Sequence, residues 1–196
     1  MTLSILVFNF YPITAVMIII LALLNDGAIM MIAFDRTSLP PRPTRWDMYT
    51  VLTTATVLGL LGLVASFSIF WIGEQWLKLD RETIRSLIFL KLAVAGHMTV
   101  YLSRTGDKHF WSKPLPAPSM FGILETNQVI ATLLAVYGLM MRPIGWKLAL
   151  FVWGYALLWF LINDQIKVVV MRLLRHGIVA EQDHLRRISS HLHAIH

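Results

Sequence analysis

Five long apolar runs constrain this chain more than any other feature: Ile13–Phe34, Met48–Ile72, Ile84–Leu102, Met120–Met141 and Leu148–Met171. Each approaches the roughly 20 residues that carry a helix across about 30 Å of hydrocarbon. Within lipid the backbone has no water to bond, so only helices and closed barrels span it, and these runs are too long for barrel strands. Hydrophobic residues are 57% of the chain and charged residues 14%, against roughly 25% charged in ordinary soluble domains. The expectation is an all-α, polytopic membrane helix bundle with about five full spans. Leu3–Phe10 is apolar but too short to cross, and Pro12 ends it. It reads as a short N-terminal half-helix, the last turns of a longer segment.

The net charge of +6 fits basic loops at lipid headgroups and does not call for nucleic acid. Arg36, Arg42 and Arg45, then Arg104, Lys108 and Lys113, then Arg172, Arg175, Arg186 and Arg187 fall on one side of the predicted bundle. Lys78, Arg81, Arg85, Arg142 and Lys147 fall on the other. The richer set predicts the cytoplasmic side and places the C-terminus there, in a multi-pass membrane protein. The two basic connections carry Pro40, Pro41 and Pro43, and Pro114, Pro116 and Pro118, which predicts stiff, non-helical loops. Trp46, Trp71, Trp76, Trp111 and Trp146 lie near span ends, as interfacial anchors do. Cysteine is absent, so no disulfide or thiol chemistry is available. Met1-Thr2-Leu3 lacks the charged start of a cleavable signal.

Within the first run stands Asp26, in Leu24-Asn25-Asp26-Gly27. A carboxylate at the centre of a spanning helix costs about 2.5–3.5 kcal/mol on insertion scales. A chain keeps such a group when it binds, pairs or carries a proton, or when a structural partner neutralises it. Gly27, a weak helix former, predicts an interruption beside the acid.

The order of several motifs resembles one family. Phe8-Asn9-Phe10-Tyr11-Pro12, Leu24-Asn25-Asp26-Gly27-Ala28-Ile29-Met30 and Ile32-Ala33-Phe34-Asp35-Arg36 resemble the sixth transmembrane segment of plasma-membrane P-type proton pumps and its approach. Ser103-Arg104 near Trp111, Ala131-Thr132, Ala135-Val136-Tyr137, Ile144-Gly145-Trp146, Trp153-Gly154-Tyr155 and Leu161-Ile162-Asn163-Asp164 continue it. The resemblance runs to about Arg175, with details closer to the bacterial and archaeal branch. It implies a C-terminal transmembrane domain over residues 1–175, from the end of the fifth segment onward, and a cytoplasmic amphipathic tail over 176–196. It implies that Asp26 is the proton-binding acid, supported by Asn25 and Gly27. It also implies that the partner is the pump's remaining N-terminal part, with its cytoplasmic domains and earlier helices. The full pump uses ATP and Mg. This chain has neither the Asp-Lys-Thr-Gly-Thr phosphorylation motif nor a phosphate loop, so no cofactor, catalytic residue or ATPase activity is expected within it.

Lys91, His97, Glu125 and Gln128 lie inside later spans and are candidates for an intramembrane polar network. Lys91 and Glu125 are expected to neutralise each other. His97 is placed either to bond across a helix interface or to relay a proton. Gly59, Gly62 and Ser66 predict close helix packing, and Asp164 and Lys167, one turn apart, are expected to pair. In the tail, Leu185, Ile188, Leu192 and Ile195 recur at helical spacing beside Arg186 and Arg187, which predicts a helix on the membrane surface or on a partner domain. His191 and His193 are a weak metal signal, and no metal site is expected.

Two functions follow. One is the membrane section of a proton-exporting P-type ATPase, with lipid, the proton and the rest of the pump as partners. The alternative is a stand-alone, non-enzymatic helix bundle serving as scaffold, partner subunit or degenerate remnant. A passive proton channel formed by this chain alone is a weaker third.

Overall fold

A computed structural model describes Ile5, residues 9–36 and residues 48–193, with side chains as far as Leu174. Every regular element among these residues is a helix, and five helices are long and apolar enough to cross a membrane. They are α1 (Ala15–Ile32), α2 (Met48–Trp71), α3 (Arg81–Ser103), α4 (Pro118–Tyr137) and α5 (Gly145–His193). The apolar part of α5 reaches Leu174, and its backbone continues helical to His193. The tail stripe and its histidines lie outside the described side chains, as do Trp46 and most of the N-terminal half-helix.

Local chemistry sets the helix ends. Thr14 caps α1 by accepting from the Met17 N–H at 3.3 Å. Asp80 caps α3, taking the Thr83 N–H at 3.3 Å and the Thr83 hydroxyl at 2.6 Å. Those bonds, the hydroxyl's first, hold the Asp80 carboxyl below its ordinary value despite partial burial. Pro118 opens α4 at a position where a missing N–H costs nothing. Gly138 ends it with φ 73°, and a Cβ there would lie 2.7 Å from Pro143. The last turn of α2 widens to five-residue bonding, with Leu77 N–H donating to Ile72 C=O at 3.0 Å. Gly73 in that turn lets Ile84 approach to 3.2 Å of a Cβ position.

Helix α3 is the axle of the bundle. It packs against α1, α2, α4 and α5, and 61% of its most apolar window is buried, against 11% for α1. Its Leu87, Phe89, Leu90, Ala93 and Val94 form the centre of the core. At one end Arg85 donates to the Tyr11 carbonyl at 2.8 Å, pairs with Glu82, and lies with Arg81 over the Phe10 ring. This ties the chain entering α1 to the start of α3. Trp71, Trp76, Trp111 and Trp146 are all more than half exposed near span ends, where indole rings meet headgroups.

Candidate functional site

Helix α1 runs without a break through Asn25, Asp26 and Gly27, so the interruption expected at Gly27 does not occur. The glycine serves packing instead. A Cβ on Gly27 would meet the Asn127 amide nitrogen at 3.5 Å, and a Cβ on Gly96 would meet the Asn25 Oδ1 at 3.7 Å. Small residues on both sides thus bring α1 close to α3 and α4. Two polar side chains converge on the Leu24 carbonyl. Asn127 donates from Nδ2 at 2.7 Å, and His97, fully buried, places Nε2 at 3.4 Å. The other His97 nitrogen, Nδ1, lies 2.6 Å from the Ala93 carbonyl. Asn127 is the member of this group that the candidate residues omitted. Its amide partner is a backbone oxygen, which residue type and spacing do not reveal.

Asp26 itself is exposed on the outer side of α1. Helical spacing sets it in one row with Ile19, Leu23 and Met30, which are 60%, 67% and 71% exposed. Asn25 and Gly27 face the bundle on either side of the acid. The carboxylate therefore sits mid-span on an apolar stripe that the described residues leave uncovered.

Lys91 and Glu125 do not pair. Lys91 donates to the Ser66 hydroxyl at 2.7 Å and the Gly62 carbonyl at 3.2 Å, both on α2. Glu125 accepts from the Tyr101 hydroxyl at 3.2 Å. Tyr101 lies ten residues beyond Lys91 on α3, about 15 Å along the axis, so the two charges occupy different levels. Gln128 is 1% exposed, with both amide atoms unpartnered. The four candidates therefore do not form one connected network among the described residues. Nor do Gly59 and Gly62 admit a close helix: nothing lies within 4 Å of a Cβ at either. They line a cleft of about 980 Å³ between α2, α3 and α5, with Lys91 on its wall.

The basic-loop end is held by two buried ionic groups. Arg104 donates from Nε to Asp35 Oδ2 at 2.8 Å and from Nη2 to Oδ1 at 3.4 Å. The same guanidinium reaches the Pro114 carbonyl at 2.9 Å, and Ala117 N–H adds a bond to Asp35 at 3.0 Å. Burial pushes the Asp35 carboxyl up, but the Arg104 and backbone bonds outweigh it and hold it below its ordinary value. This clamp joins the exit of α1 to the end of α3 and the start of α4. In the second group Lys167 pairs with Asp164 at 3.2 Å, as the spacing predicts. His109 adds a 2.7 Å contact from Nδ1 to Asp164 Oδ2, and the Phe110 N–H donates to Oδ1 at 3.1 Å. Lys167 further donates to the Leu102 and Lys108 carbonyls and the Thr105 hydroxyl. His109 escaped the sequence reading because it lies in a loop 55 residues from its partner.

No group of metal-ligating side chains occurs among the described residues, and no protein-family model matches the chain. Individual proteins do match. Over 174 residues, 88% of this chain, it is 47% identical to a Methanocaldococcus jannaschii protein named as a cation-transporting ATPase, covering 21% of that protein. It is 26% identical over 192 residues to proton ATPase 1A of Leishmania donovani, covering 83% of this chain and 20% of the relative. It is 27% identical over 200 residues to a Dictyostelium discoideum plasma membrane ATPase, covering 87% of this chain and 19% of the relative. The chain thus spans about a fifth of the length of the relatives it matches. Sequence likeness and five apolar helices together identify the chain with the C-terminal membrane section of P-type cation- and proton-transporting ATPases.

Proposed function

We propose that this chain supplies the membrane section of a proton-exporting P-type ATPase, with Asp26 binding the transported proton. ATP hydrolysis resides in the part of the pump outside this sequence, and the basic-loop end and C-terminus face the cytoplasm. One observation carries the reading: Asp26 lies mid-span on an uncovered apolar stripe with Ile19, Leu23 and Met30. A carboxylate left facing hydrocarbon is costly, and the relatives are about five times as long as the segment they share with this chain. The stripe is the surface against which their earlier helices pack, and the acid then lies at that junction. There a carboxyl alternates between holding and releasing a proton as its surroundings rearrange. Asn25 and Gly27 position it by fixing the rotation of α1 against α3 and α4.

The test grafts this chain onto the Methanocaldococcus relative in place of the matching segment and measures ATP-driven acidification in sealed vesicles. With Asp26 present, acidification proceeds. Asp26→Asn lowers it at least about a hundredfold, the lower end of the 10²–10⁴ typical of a positioned proton-transfer group, whereas Asp26→Glu retains part. A chimera that pumps equally well with Asp26→Asn overturns the assignment.

A further inference from the structure

A second polar site lies away from Asp26. Between α3, α4, α5 and the α3–α4 connection is a cavity of about 400 Å³, within the size range of small-molecule sites. Tyr101, Phe110, Trp111, Phe121, Trp153 and Phe160 make half of its lining. Their arrangement is fixed: Phe110 meets Trp111 and Phe160 edge-on at 4.9 and 4.7 Å, and Tyr101 tilts against Phe121 at 6.2 Å. His109, held by Asp164, stacks behind Trp111 at 4.5 Å. Among these rings sit two polar groups, Glu125 and Gln128. They are one turn apart on α4, so they face the cavity together.

Both groups are short of partners. Glu125 takes one neutral bond, from the Tyr101 hydroxyl, and no basic side chain among the described residues pairs with it. No basic side chain lines the cavity either. Gln128 is 1% exposed with both amide atoms unpartnered, a state that costs free energy. A carboxylate and a wall of π faces select one chemistry. A primary ammonium gives N–H bonds to Glu125, and its charge is attracted by ring faces. The exposed Phe121 and Leu157 flank the cavity on its lipid side, which leaves room for an apolar tail. We propose that this cavity binds the primary ammonium group of an amphiphilic amine. The site is independent of the proton role assigned to Asp26.

The probe is 2-phenylethylammonium, titrated calorimetrically against the full chain in nanodiscs of phosphatidylglycerol. Saturable binding is expected. Propylbenzene, which replaces the ammonium by a methyl, shows no saturable heat. Glu125→Gln weakens binding about tenfold or more, as loss of a bond to a charged group does. Trp153→Leu weakens it about three- to tenfold, while Lys91→Met, which lies outside the cavity, leaves it unchanged. Melting temperature is followed for each variant, and a variant that has lost its folded transition is replaced by Glu125→Asp, which keeps the charge and is expected to keep part of the affinity. Nanodiscs containing phosphatidylethanolamine separate the two sources of ammonium: competition by that lipid identifies a headgroup, and its absence identifies a free amine. Equal binding of propylbenzene, undiminished affinity in folded Glu125→Gln, or no saturable heat up to millimolar probe each overturns the proposal.

Discussion

Arg104 and Asp35 show what a single buried contact does in this bundle. Their side chains are 7% and 2% exposed, and the guanidinium also holds the Pro114 carbonyl. Arg104→Met leaves an uncompensated carboxylate in a buried place, a change that typically costs about 3–5 kcal/mol. Adding Asp35→Asn to that variant recovers part of the loss, and thermal unfolding in detergent measures both; strictly additive losses would show that the two residues act separately. The pH dependence follows from the depressed Asp35 carboxyl. Its folded value lies below the ordinary 3.8, so the contribution is complete above that value. It is lost as pH falls below 3.8 through the folded value, and Arg104→Met flattens this acid limb. Neither the clamp nor its strength was legible in the sequence, where Asp35-Arg36 and Ser103-Arg104 stand in separate motifs. Which of two adjacent charges turns inward depends on the packing of α1 against α3.

At the scale of the helix, backbone geometry and close approach decide which glycines matter. Gly138→Ala places a Cβ in left-handed backbone and 2.7 Å from Pro143. It is expected to cost more than about 1–2 kcal/mol in unfolding free energy, the left-handed backbone alone accounting for that much. Gly27→Ala, with ordinary contact to Asn127, is expected to change stability by no more than about 1 kcal/mol in either direction, since alanine favours the helix by that amount. Gly27→Leu separates α1 from α4, breaks the Asn127–Leu24 bond and lowers the melting temperature; an unchanged melting temperature would mean that the contact carries little. The helices themselves were readable because span length is a property of one segment. Ile84–Leu102 became Arg81–Ser103, extended by the Asp80 cap, and Ile13–Phe34 became Ala15–Ile32. The pairing of Lys91 was not readable. An amine that long reaches whichever neighbouring helix presents acceptors, and α2 presented Gly62 and Ser66.

For the molecule as a whole, the uneven burial of its helices is informative. Core α3 and peripheral α1 differ in a way that chemistry can read, because the chain has no cysteine and each introduced thiol is unique. In the isolated chain, Leu23→Cys and Met30→Cys are expected to be tagged by a lipid-soluble photogenerated carbene, while Val94→Cys, fully buried, is not. In the assembled pump the first two become protected. A Leu23→Cys that stays equally reactive there would make the Asp26 side a lipid face and end the proton assignment. The sequence led to Asp26, through the cost of a mid-span charge, but not to its exposure. Exposure depends on where the four other helices stand, which no single span encodes.

The unbroken course of α1 bears on which ion such an acid can take. An unwound helix releases carbonyl oxygens, and a metal ion gathers five or six such lone pairs to replace its water. Here the helix keeps its carbonyls in its own hydrogen bonds, and the Leu24 carbonyl, on the bundle side, also receives the Asn127 amide hydrogen. An unbroken helix offers few free carbonyl oxygens with which a sodium shell beside Asp26 could be completed. A bare proton asks for one lone pair, which is all that the role proposed for Asp26 requires.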